Sequence, residues 1–196
     1  MSLYSARLMI EVRDFHGLRE LLEQHPEVVR ERDHWSTSLL TESASQADFS
    51  AMVLLSRFGA SADGVEGQIR PPLCAAMELD DEKAVSVGAI LVACGADLDR
   101  EGVGGTPLHN AIRMSNYKAA AMLLDAGADI NARDLEDGAT PLWRAVQLEN
   151  LEAVRFLVEW GATRVVSDRT IGKSTLQLAA NSTFAIRTEL LALLEA

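Results

Sequence analysis

The sequence is short of the residues from which most chemical sites are built. Its 196 residues hold only two cysteines and four histidines. Cys74 and Cys94 match neither a metal-ligand spacing nor a disulfide framework, and read as reduced, core-type thiols of a cytoplasmic protein. None of His16, His25, His34 and His109 is paired with another histidine or a cysteine at metal-ligand spacing. No apolar run approaches the roughly 20 residues that span a bilayer, and Met1 to Met9 lacks the apolar core of a secretion signal. Basic residues are also scarce, 18 against 29 acidic ones, which leaves a formal charge of −11. That deficit argues against nucleic acid as a direct ligand, because phosphates would be repelled, and favours a basic protein partner. The expectation is a monomer with no cofactor, no metal and no membrane contact.

What the chain does have is a repeated unit. In Gly104-Gly105-Thr106-Pro107-Leu108-His109-Asn110-Ala111, Thr106 can cap a helix through its hydroxyl and Pro107 suits the first helical position, where no amide proton is needed. Leu108, Ala111 and Ile112 fall on one face of that short helix. Ser115-Asn116 breaks it, Tyr117 to Asp125 reads as a second helix, and Gly127 stands where a left-handed stop wants no Cβ. The pattern returns 34 residues later as Gly138, Thr140-Pro141-Leu142, Ala145, Asn150, Leu157 and Gly161-Ala162. A leucine column, Leu40, Leu73, Leu108, Leu142 and Leu176, carries the period with gaps of 33, 35, 34 and 34.

A fixed period of this length, with Thr-Pro-Leu-His and Gly-Ala-Asp, resembles the ankyrin repeat. The resemblance implies an all-α solenoid of helix-turn-helix units with short finger loops. About six units are expected in a single domain over 1–196: an N-terminal cap at 5–33, then 33–65, 66–99, 101–134, 135–168, and a C-terminal cap at 168–196. The outer units are degenerate. His25-Pro26 replaces the glycine stop of the first, and Ser38-Leu39 replaces Thr-Pro in the second.

Two departures stand out. From Leu73 to Gly95 is 22 residues, against 19 from Leu108 to Gly127, so three extra residues lie near Leu79 to Lys83 as a longer turn or an extra helical turn. Trp143 takes the place of His109 in the fifth unit. The family's histidine holds neighbouring loops by hydrogen bonding, and an indole is not expected to take that role without rearrangement.

Candidate chemistry is thin. Gly172-Lys173-Ser174 lacks the glycine that a phosphate-binding loop needs five positions earlier, which is Ser167 here, and reads as a helix start capped by Ser174. Cys74 and His109 occupy equivalent positions in adjacent units, a packing column rather than a catalytic pair. Asp80-Asp81-Glu82 reads as a solvated charge run. The remaining candidates lie on the surface where ankyrin repeats usually meet partners. By the resemblance, the fingers offer His34 and Trp35; Gln68 and Arg70; Val103; Glu136 and Asp137. The first helices offer Glu78 and Leu79; Arg113 and Met114; Arg144, Gln147 and Leu148. Leu79, Met114 and Leu148 either form an apolar interface line or merely close the inter-helix turns, while Trp35 is the hot-spot candidate. Trp160, beside the stop Gly161, is expected to shield the edge of the stack. The implied function is non-enzymatic protein recognition, by an adaptor or by a dedicated inhibitor or immunity protein acting on a basic partner.

Overall fold

The computed structural model describes residues 2–33, 37–167 and 172–195. Among these, twelve α-helices follow one another as six pairs without a β-strand. The pairs are α1 Ser2–Glu11 with α2 Phe15–Gln24, α3 Leu39–Ser45 with α4 Phe49–Arg57, and α5 Pro72–Ala76 with α6 Asp81–Ala93. They continue as α7 Pro107–Arg113 with α8 Tyr117–Asp125, α9 Pro141–Gln147 with α10 Leu151–Glu159, and α11 Thr175–Asn181 with α12 Phe184–Glu195. Each first helix packs on its own second helix and on the first helix of the next pair, as α7 does on α8 and α9. The result is an all-α solenoid.

Local chemistry sets each helix boundary. Thr140 accepts the N–H of Trp143 at 3.2 Å to start α9, and Ser38 does the same for Thr41 at 3.2 Å to start α3. Thr106 and His109 form a reciprocal capping box at the start of α7. Second helices are capped by Asp14, Asp48, Asp80 and Asn150. Asn116 works differently: its amide donates to the carbonyls of Met77 and Leu79, tying the fourth pair to the third. The helix stop at Gly127 has φ of 104°, in the region that disfavours any side chain. The turns between helices use non-glycine residues at positive φ, Arg13, Ala47, Ser115 and Glu149, one in each of four pairs.

The third pair departs from this plan. Its first helix ends early at Ala76, and α6 runs for 13 residues where α4, α8 and α10 have 9. The three extra residues therefore lie in an added helical turn at the start of α6, which follows a shortened α5 and a connection of four residues where the pairs on either side have three. The acidic run sits on that turn: Asp80 caps α6, and the Asp81 carboxylate accepts the N–H of Ala119 in α8 at 3.2 Å.

The core is the leucine column and what interdigitates with it. Leu40, Leu73, Leu108 and Leu142 are buried, while Leu176 is half-buried. Each fully buried leucine contributes about 1.5–3 kcal/mol relative to exposure. On the outer helices Tyr117, Phe156 and Trp160 form an aromatic ladder, with ring centroids 5.5 and 5.8 Å apart. Side-chain-to-backbone bonds then tie the loops along the array, with Asp63 accepting from Asp97 and Asn131 from Thr163.

Candidate interaction surface

The fingers are tight loops joined to one another. Gly102 and Gly105 close one finger by a backbone bridge, and both Gly104 and Gly105 take positive φ, 86° and 98°. The N–H of Val103 donates to the carbonyl of Ile69 at 2.8 Å, so two fingers meet through main chain. At the next junction the N–H of Leu135 donates to the Glu101 carboxylate at 2.9 Å. Burial pushes that carboxyl up from its usual range, against the pull of the Leu135 N–H. Arg32 donates to the Glu66 carbonyl and Arg133 to that of Ser167, linking the outer fingers.

Behind the fingers, the expected polar residues are already engaged with each other. Glu78 pairs with Arg70 and, at 3.4 Å, with Arg113, which also donates to Asn110 at 2.9 Å. Arg144 donates to Asp134 at 2.8 Å, to Asp137 at 3.0 Å and to Gln147 at 2.8 Å. Burial pushes the Asp134 carboxyl up, but the N–H and side chain of Asp137 together with Arg144 outweigh it and hold it at about 2. The more exposed pairs of Glu78 with Arg70 and Arg113 contribute little stability, whereas Asp134 is buried. Together these pairs neutralise the strip along the first helices.

Apolar residues border that strip. Met114 and Leu148 end α7 and α9 with 42% and 52% of their surface exposed, and Val12 occupies the same turn position in the first pair, 64% exposed. On the finger side Val103 is exposed, flanked by Ile69 and Leu135 on the neighbouring fingers, at 64%, 61% and 81%.

Other expected residues are placed otherwise. Leu79, in the connection between α5 and α6, is half-buried and packs against the core. Gln68 is buried, its amide donating to the Thr41 hydroxyl and the Arg70 carbonyl, so it holds a finger and offers nothing outward. Glu136 is exposed. His34 and Trp35 lie outside the described residues. Ile69, Leu135, Glu101 and Val12 were not among the expected residues. The 34-residue step from Ile69 to Val103, and the match of Asp14 to Asn116 that aligns Val12 with Met114, would have found two of them.

The potential nucleophile and base are structural. Cys74 is fully buried, its thiol directed to the carbonyls of Arg100 and Gly105, and burial pushes its pKa up to about 12. His109 is buried, with Nδ1 bonded to Thr106 and Nε2 donating to the Ala139 carbonyl at 3.1 Å, so no ring nitrogen remains for the thiol. Trp143 corrects the sequence expectation: its indole N–H donates to the Lys173 carbonyl at 2.8 Å and takes over the histidine's role. Ser174 caps α11 in a box with Gln177. Among the described residues no cluster of three His, Cys, Asp or Glu could hold a metal, and no helix is long and apolar enough to cross a membrane.

These features define a helical-repeat solenoid whose candidate site is an open surface. A family model described as three copies of the ankyrin repeat matches residues 40–134, and the single ankyrin repeat model matches 137–169. Together they cover about two thirds of the 196 residues. The chain belongs to the ankyrin-repeat family. Ankyrin repeats are generally protein–protein interaction modules and are typically non-enzymatic. No curated protein matches the chain.

Proposed function

We propose that this protein is a non-enzymatic recognition module that binds a protein partner across its finger tips and the exposed face of its first helices. The observation that carries the reading is the pairing of opposite features on one side of the stack. The charged residues of the strip along the first helices satisfy one another, while Val103, Met114 and Leu148 stay open to solvent. An exposed apolar border next to a neutralised strip can be desolvated at low cost, which is what a protein interface needs. The stacked units also hold this surface in place before binding, so little ordering entropy is lost. The net charge of −11 supports a basic partner.

A photo-crosslinking residue placed at Leu148 in cells that naturally produce the protein should trap a discrete protein partner. The same residue at Lys118, exposed on the outer helix α8, should trap none or far less. Equal trapping at both positions would show that the inner face has no privileged role.

A further inference from the structure

The finger tips carry more than a general contact surface. Ile69, Val103 and Leu135 open onto a groove of about 470 Å³ that spans three fingers. Its remaining side chains are Glu101, Asp134 and Glu136, and no lysine or arginine lines it. Asp134 is neutralised by Arg144 and Glu101 is bonded to the Leu135 N–H, whereas Glu136 pairs with no cation among the described residues. Between the apolar side chains the floor is main chain, at Gly102, Gly104 and Gly105. The direction a side chain would take at Gly102 and Gly105 runs inward, toward Pro71 and His109.

From this juxtaposition we infer that the finger groove takes an extended segment of a protein partner that carries apolar residues at every third position with lysine or arginine between them. The inference rests on the protein-recognition reading above and adds the ligand's chemistry. Spacing argues for the period of three. Packed helix layers repeat about every 8–10 Å, which sets the approximate step from one finger to the next. A polyproline II strand advances about 9 Å per three-residue turn, bringing every third side chain to the same face. The glycine floor lets the main chain of such a strand approach closely, where a helix would present side chains only. The acidic rim selects the charge: intervening cations would meet Glu136 and Glu101, and an acidic segment would be repelled.

The test uses the full chain and a random dodecapeptide library displayed on phage. Enriched peptides should share apolar residues three apart with lysine or arginine between. A synthetic copy of the best peptide should shift the amide resonances of Ile69, Val103 and Leu135 in the unmodified protein. Its affinity should fall at least tenfold with Val103→Ser/Leu135→Ser and at least fivefold with Glu136→Lys, and should hardly change with Lys118→Ala on the outer helix α8. All the substituted side chains are exposed, and circular dichroism checks that the variants fold. Failure to enrich any peptide, enrichment of acidic or uncharged ones, or binding insensitive to the finger variants would overturn the inference. Crosslinking from Leu148 separates the two claims. If it still traps a partner, only the groove assignment falls; if it traps nothing either, the recognition reading falls with it.

Discussion

His109 and Trp143 make the same inter-unit bond with different rings. Each donates one ring N–H to a carbonyl thirty residues downstream, His109 to Ala139 at 3.1 Å and Trp143 to Lys173 at 2.8 Å. The indole fits because it is fully buried and its Nε1 extends as far from the backbone as the imidazole Nε2 must. Trp143→Phe removes that donor and part of the packed volume, and should cost about 2–3 kcal/mol. A melting temperature lower by several degrees is expected. An unchanged one would show that the bond to Lys173 contributes nothing.

Much of this was legible in the sequence because each unit repeats its own boundary chemistry. Thr-Pro-Leu starts α7 and α9, and Gly127 and Gly161 stop α8 and α10, by short-range rules that spacing alone exposes. The surface was read less completely. Whether Gln68 or Ile69 points outward depends on the path of one finger, and that path is fixed by a hydrogen bond to Thr41 in the neighbouring unit. The engagement of Arg113 with Glu78 is likewise a contact between units, which no local pattern encodes.

Gly127→Val should destabilise the protein by about 1–3 kcal/mol. Nothing lies within 4 Å of the position a Cβ would take, so the cost is conformational, set by φ of 104°, and not steric. Gly127→Ala should therefore cost nearly as much. Thermal melts of both variants check this, and a valine variant as stable as the parent would contradict it.

Asp134 makes a pH signature. Its folded pKa, about 2, lies below the ordinary aspartate value of 3.8, so the fold favours the charged form. The stability it supplies is present above pH 4 and is lost as pH falls toward about 2. Urea unfolding of the parent and of Asp134→Asn should differ at pH 6, and the difference should shrink between pH 4 and pH 2. A difference independent of pH would remove the carboxylate from the account.

The two thiols should separate cleanly. Cys94 is exposed, while Cys74 is buried with its pKa pushed to about 12. Under native conditions a maleimide should label Cys94 within minutes and leave Cys74 intact, and denaturant should release the second thiol. Fast native labelling of Cys74 would mean that the third and fourth units open readily.

The central claim is recognition through the inner face, and Met114 and Leu148 test it most directly. Affinity capture from the natural host should be run in parallel with the parent chain and with Met114→Asp/Leu148→Asp, each partner quantified by mass spectrometry. The account predicts a variant with unchanged circular dichroism and nearly unchanged melting temperature that retains at most about a tenth of the partner, since interface centres tolerate buried charge poorly. A folded variant that captures the partner as well as the parent would contradict the account and move the binding surface elsewhere on the stack.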